Sequence, residues 1–217
     1  FEVFPGADRA QKLALAKQAN TLPTLMFAAS FTMMDYAHQG SILPITKEME
    51  PIKSDYPQDI IVATSINGEN YMFPVYLSPF VMFYNADIFK AAGLDAFVTE
   101  SRDVPAEWNF EDFENVILPK LKESLAGTEK YPMALFAGND QSDTYNHSWL
   151  RMYGGTVFNG GKVVAGEDEN TIHALDTLSD WVQKGYTNSD AVTKLGTECL
   201  VDFQNQLSAI CFGNQIN

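Results

Sequence analysis

The chain has 217 residues, 28 acidic against 14 basic side chains and a net charge of −14, with 46% hydrophobic and 12% aromatic residues. That apolar content supplies a core for a chain of this length and excludes intrinsic disorder. The excess negative charge repels phosphate backbones and anionic lipid, so it argues against nucleic acid and membrane surfaces as partners and suits solubility or a neutral ligand.

In chain order, Asp8 predicts the N-cap of a helix over 9–19, and the apolar run Thr24-Leu25-Met26-Phe27-Ala28 after Leu22-Pro23 reads as a buried strand. Residues 32–38 return to helix and stop at Gly40, and Ile60 to Ile66 reads as a further helix. Asn67-Gly68 signals a type I′ hairpin turn, joined to an extended Tyr71-Met72-Phe73-Pro74. Phe80 to Tyr84 follows as a strand, then a helix from Asp87 to Ala92, capped by Asn85 and stopped by Gly93. After a polar loop over 94–107, Asn109 caps a helix with Phe110, Phe113, Val116, Ile117 and Leu121 on one face, which Pro119 kinks or divides.

Pro132 to Phe136 reads as a strand, 137–144 as a polar loop and 145–152 as a helix running into Gly154-Gly155. A hairpin turns at Asn159-Gly160-Gly161. The clearest helix spans 171–184, with Ile172, Leu175, Leu178 and Val182 as its inward stripe and Gly185 as its stop. A helix over 197–204 and a strand over Ala209 to Phe212 complete the order. Strands alternating with helices predict an α/β fold with mainly parallel pairing.

No apolar stretch approaches the roughly 20 residues of a membrane helix. The chain opens at Phe1 without an initiator Met or a signal peptide, which reads as a mature protein or an excised fragment. Cys199 and Cys211 fit neither a disulfide scaffold nor a zinc site; two buried thiols and one short-loop bridge are both compatible with them. The sequence has no G-x-G-x-x-G, no Walker A run and no G-x-S-x-G elbow. His38, His147 and His173 lack metal-binding spacing, so no metal and no cofactor is implied. Asp140 and Asp143 share a polar loop and are the one carboxylate pair to weigh for glycoside chemistry, although loop Asp residues ordinarily satisfy local backbone donors. The sequon at Asn146 falls inside a predicted helix and reads as chance.

Aromatic and amide side chains gather where predicted strands end. Ser30, Phe31 and Thr32 follow the first strand; Tyr76, Leu77 and Ser78 follow Pro74; Asn139, Asp140, Gln141, Tyr145 and Trp149 follow the strand at 132–136; Asn214 and Gln215 follow the last one. In open α/β sheets ligands bind outside the carboxyl ends of strands. Aromatic faces beside neutral amides and hydroxyls suit an uncharged polyhydroxylated ligand. For Trp149, a stacking platform and a core anchor are both open.

The order Leu22-Pro23-Thr24-Leu25-Met26-Phe27, Tyr36-Ala37, Gly40, Leu43 and Ile45 resembles a segment of the maltose-binding-like extracellular solute-binding proteins. Asn67-Gly68 with Tyr71 and Pro74, then Phe83-Tyr84-Asn85-Ala86-Asp87-Ile88-Phe89 and Ala92-Gly93-Leu94, is similar to its next segment. Pro105, Trp108, Phe113, Gly154-Gly155, Gly161-Lys162, Ala174-Leu175, Gly185, Phe203 and Ser208-Ala209-Ile210 continue the match in register.

The resemblance implies a two-lobed periplasmic-binding-protein-like (type II) α/β fold, incomplete at both ends because family members run near twice this length. Lobe one would be residues 1–77 and lobe two 78–217, with a crossover near 74–79. It implies a non-enzymatic receptor of an ABC importer that closes by a hinge over a sugar or oligosaccharide. Such a receptor is extracytoplasmic, lipid-anchored in its full-length form, monomeric, and a partner of membrane permease subunits. The same architecture also serves non-sugar ligands, and a glycoside-acting enzyme is the remaining alternative. The positions that match or adjoin the family's ligand segments are Ser30, Phe31, Tyr76, Ser78, Asp140, Tyr145, Trp149, Asn214 and Gln215.

Overall fold

The computed structural model describes residues 2, 6–77, 79–99, 107–138 and 142–214, with the backbone alone at 6, 7, 142–145 and 214. The chain divides into two compact units, Phe1–Leu77 and Ser78–Asn217.

The first unit is helical with one hairpin: α1 (Gly6–Gln18), α2 (Ser30–His38), α3 (Thr46–Met49), α4 (Gln58–Ala63), β1 (Ser65–Ile66) and β2 (Glu69–Asn70), with a 3-10 turn at Glu50–Asp55. Asp8 lies inside the first turn of α1 and does not cap it. Arg9 Nη2 donates to Thr32 Oγ1 at 3.1 Å and Lys17 Nζ to Ser41 Oγ at 3.1 Å, tying α1 to α2 and to the loop beyond it. The helix expected to reach Ile66 stops at Ala63, because the hydroxyls of Thr64 and Ser65 donate back to the carbonyls of Ile60 (2.9 Å) and Ile61 (2.6 Å) and satisfy the helix end. Asn67 (φ 52°) and Gly68 (φ 85°) make the expected turn, pairing Ser65 with Asn70 and Ile66 with Glu69.

Two expected extended segments do not become strands. Residues 24–28 and 71–74 lack regular structure and have no sheet partner among the described residues. Apolar alternation supplies the propensity, but a strand exists only through its ladder. The buried apolar residues of this unit are Met33, Ala37, Met49 and Ile61.

The second unit holds a sheet of order β3-β7-β4, where β3 is Phe80–Tyr84, β4 is Tyr131–Ala134 and β7 is Ser208–Asn214. Two short strands, β5 (Phe158–Asn159) and β6 (Lys162–Val163), form the expected hairpin. The pairing is mixed where mainly parallel pairing was expected: β4 runs parallel to β7 and β3 antiparallel to it. The long helical connection from β4 to β7 returns the chain in the same direction, and β3 does not border β4 but opposes β7 from its other side.

The helices of this unit are α5 (Ala86–Ala91), α6 (Phe110–Asp112), α7 (Leu118–Ser124), α8 (Ser142–Met152), α9 (Glu169–Gln183) and α10 (Gly196–Gln204). Asn85 Oδ1 accepts from the backbone N–H groups of Asp87 and Ile88 and caps α5. Asn109 and Asp112 form a reciprocal capping box on α6. A π-helical turn over Phe113–Ile117 joins α6 to α7 just before Pro119, dividing the helix where the missing proline N–H breaks the ladder.

The α9 stripe agrees at Leu178 and at Val182, which packs partly buried on the core, and differs in its first half by about one residue, roughly 100° of rotation. Thr171, Ala174, Leu178 and Trp181 are buried, while Ile172 and Leu175 are exposed. Two inward anchors decide this: Thr171 Oγ1 donates to the Thr156 carbonyl at 3.1 Å, and the Trp181 ring packs edge-on against Trp149 at 5.2 Å.

Candidate ligand-binding site

In the second unit, the parallel pairing of β4 and β7 brings their carboxyl ends to one edge of the sheet. Phe80 pairs with Asn214, so β3 begins at the edge where β7 ends. Three strand ends therefore converge there, the arrangement that opens a ligand crevice in α/β sheets.

The segment leaving β4 is held firmly. Leu135 N–H donates to Asn188 Oδ1 at 2.8 Å, Ala137 N–H to the Ala191 carbonyl at 2.7 Å and Gly138 N–H to the Lys194 carbonyl at 2.9 Å. A Cβ on Gly138 would stand 2.6 Å from the carbonyl oxygens of Thr193 and Lys194, so only glycine permits this approach. From the other side, Asn146 Nδ2 in α8 donates to the Phe136 carbonyl at 3.3 Å.

The charged groups behind this segment satisfy one another. Asn188 Nδ2 donates to Asp190 Oδ1 at 2.7 Å, and Lys194 Nζ lies 2.7 Å from Asp202 and 3.4 Å from Asp190. Tyr131 donates its hydroxyl proton to Asp202. The Asn188 hydrogen bond holds the Asp190 carboxyl below its usual range, the Asp202 hydrogen bond raises Lys194, and burial pushes the Tyr131 hydroxyl well up. These groups form a hydrogen-bonded and ion-paired scaffold behind the segment.

Cys199 and Cys211 are free and buried beside Ala134 and Phe136, and burial pushes both thiols up to about 12. Among the described residues, no helix is long and apolar enough to cross a membrane and no cluster of three His, Cys, Asp or Glu stands ready for a metal ion.

Of the residues expected at the site, Asn214 ends β7 at the converging edge. Tyr145 and Asp143 lie on the backbone of α8, which starts three residues earlier than expected, at Ser142. Ser78, Asp140 and Gln215 lie outside the described residues. Trp149 is a core anchor and not a stacking platform: it is 2% exposed, and its ring packs against Phe113 (6.2 Å), Trp181 (5.2 Å) and Phe212 (5.4 Å), leaving no face for a ligand. The mass of an indole draws it inward wherever neighbouring rings can close around it.

In the first unit, Ser30 and Tyr76 line one cavity of about 1400 Å³, bounded also by the extended stretches before them and by α1 and α2. Ser30 opens α2, and Phe31 beside it is exposed. The Tyr76 ring stacks on Phe27 with centroids 6.1 Å apart at 27°, and both are exposed. Phe27 was not among the residues expected at the site. Phe27 stands in the unbroken apolar run Leu25 to Ala28, which carries no sequence signal for an open face; its exposure shows only in the structure.

The family model for bacterial extracellular solute-binding proteins matches residues 1–214. A binding protein of Brucella abortus (strain 2308) is 24% identical over 206 residues, covering 94% of this chain and 46% of its own. Among solved structures, the ABC substrate-binding protein Lmo0181 of Listeria monocytogenes, in complex with cycloalternan, superimposes with a TM-score of 0.74 at 20% identity over 98% of this chain and 53% of its own. An ABC transporter solute-binding protein of Thermotoga lettingae bound to α-D-tagatose gives 0.76 at 17% identity, over 96% and 52%. The chain spans about half the length of the relatives it matches, and the α/β fold it shares with these receptors is that of the periplasmic binding proteins.

Proposed function

The chain belongs to the bacterial extracellular solute-binding proteins, a family of receptors and not of enzymes, and from that premise we propose that it forms part of a sugar or oligosaccharide receptor of an ABC importer. The observation that carries this reading is the convergence of the ends of β4 and β7 and the start of β3 at one sheet edge, in a fold whose ligands bind at such edges. The exposed ring of Tyr76 and the hydroxyl of Ser30 add the pairing that a sugar takes: an aromatic face for its C–H surface and a polar group for its hydroxyls. Phe31, Ser78, Asp140, Tyr145, Asn214 and Gln215 remain candidates of the same reading. Two of the structural neighbours carry cycloalternan and tagatose, which makes neutral saccharides the class to try first.

In a receptor that closes by a hinge, ligand would shift the population toward closure, and the permease subunits would read that state. An extracytoplasmic location, with a lipid anchor in the full-length protein, accompanies this role.

A saccharide held by the native state raises the melting temperature in proportion to RT ln(1 + [L]/Kd). A panel of neutral mono- and oligosaccharides should contain one that produces such a rise. In that ligand's calorimetric titration, Tyr76→Ala should weaken affinity about tenfold, the worth of one stacked ring. A rise with peptides, polyamines or metal chelates and with none of the saccharides would replace the sugar, and consumption of the saccharide would overturn the receptor reading.

A further inference from the structure

The polar groups behind the converging edge of the second unit form a closed circuit on β4. Tyr131, the first residue of the strand, donates its hydroxyl proton to Asp202. Lys194 Nζ links Asp202 to Asp190, Asp190 Oδ1 accepts from Asn188 Nδ2 at 2.7 Å, and Asn188 Oδ1 accepts from the N–H of Leu135, the residue that follows the strand. The circuit leaves β4 at one end and returns to it at the other.

Its returning end substitutes for a ladder. Met133 N–H donates to the Tyr186 carbonyl at 3.0 Å, and Met133 bridges Thr187 in parallel. Were that ladder to continue, the Leu135 N–H would go to the carbonyl of residue 188. The side-chain oxygen of Asn188 takes the bond instead, at 2.8 Å, while the Asn188 carbonyl accepts from the Thr187 hydroxyl at 3.3 Å. Leu135 and Asn188 are only 7% and 5% exposed, so solvent does not replace either partner if the other is lost.

A primary amide has a donor end and an acceptor end, and only the acceptor end serves an N–H. The carboxylate of Asp190, itself held by Lys194, takes the donor end and so turns the oxygen of Asn188 toward Leu135. We propose that Asn188 is the positioning residue of the converging edge: its amide, oriented by Asp190 and Lys194, sets the course on which the chain leaves β4. The proposal rests on the reading of that edge as the ligand edge and holds whichever solute binds there. A segment already on course binds solute without first being ordered, and a loosened one loses that share of the affinity.

Amide hydrogen exchange resolved by NMR, without any ligand, tests it on the parent, on Asn188→Asp and on the reciprocal pair Asn188→Asp, Asp190→Asn. In the single variant two carboxylates face each other where an amide met a carboxylate, so the amides of Leu135, Ala137 and Gly138 should exchange about 30-fold faster. In the reciprocal pair the amide at position 190 donates to the carboxylate at 188, which still accepts from Leu135, and exchange should return to within about threefold of the parent. The amides of β3 and β7 are the reference. A residue that only stabilised the unit would speed them equally, and that result overturns the proposal; so does unchanged exchange at 135–138, or a reciprocal pair that fails to restore it. The panel saccharide that raises the melting temperature is then titrated by calorimetry: its affinity should fall about tenfold in Asn188→Asp and recover in the reciprocal pair. Affinity that stays level while exchange responds overturns the proposal as well. A panel in which no saccharide binds sinks the sugar reading alone, and the exchange results still decide whether Asn188 positions the segment.

Discussion

The two units handle apolar residues in opposite ways. The second closes an aromatic column around its sheet: Tyr84, Phe89, Trp108, Phe113, Trp149 and Trp181 follow one another at centroid distances of 4.8 to 6.2 Å. The first has comparable apolar material in Leu22, Leu25, Phe27, Phe73, Val75 and Leu77, yet all of these are exposed. Composition is therefore not what separates them. A sheet gives apolar side chains a common plane to pack on; where the ladder is absent, the same residue types stay in water.

The largest test of this contrast is Trp149→Ala. Removing a fully enclosed indole from the column should cost about 3–5 kcal/mol by urea denaturation, through lost transfer energy plus the cavity left behind. A cost near zero would mean that the column does not hold the second unit together. Met49 is the matching residue in the first unit, also fully buried. Met49→Ala should cost about 2 kcal/mol, the low end for such a change, because an open unit collapses more readily around the gap. A penalty as large as that of Trp149→Ala would show the first unit to be as tightly packed as the second and erase the contrast.

The smallest effect, absent at neutral pH, belongs to the buried thiols. Native Cys199 and Cys211 stay protonated up to about 12, while the unfolded chain begins to lose those protons near pH 9. The folded pKa is raised, so the stabilisation is complete below the unfolded value and fades as pH rises. Between pH 8.5 and 9.5 the denaturation midpoint should fall more steeply for the parent than for the Cys199→Ala, Cys211→Ala double variant, the raised Tyr131 and Tyr153 hydroxyls being common to both. Parallel slopes would mean that the thiols are not held protonated by the cluster they share with Ala134 and Phe136.

Much of the fold was legible in the residues because its signals are local. Asn85 and Asn109 cap the helices they precede, and Asn67-Gly68 turns the hairpin, since each acts through its own dihedrals or its own side-chain oxygen. Two failures are local, Asp8 inside α1 and the early helix stop at Ala63; in the others a distant partner decides. Residues 24–28 have the composition of a strand and lack a neighbour; α9 turns toward Thr156 and Trp149 and away from its most apolar stripe; β3 opposes β7 for reasons of sheet order. The site divides along the same line. Ser30 and Tyr76, chosen as polar and aromatic residues near predicted strand ends, line one cavity, whereas Trp149, chosen on the same grounds, is enclosed by three rings that lie 32 to 63 residues away along the chain. Phe27 was passed over because a phenylalanine in an apolar run reads as core until its neighbours are known.

By itself, then, the sequence determined the caps at Asn85 and Asn109, the turn, the α/β class and the family, all encoded in short-range dihedral preferences and in motifs that keep their order along the chain. The tertiary structure alone decided which aromatic rings are enclosed, which face of α9 turns inward, how β3 runs and which extended stretches go unpaired. Burial and pairing are relations between residues far apart in sequence, and their energies exist only once the partners have met.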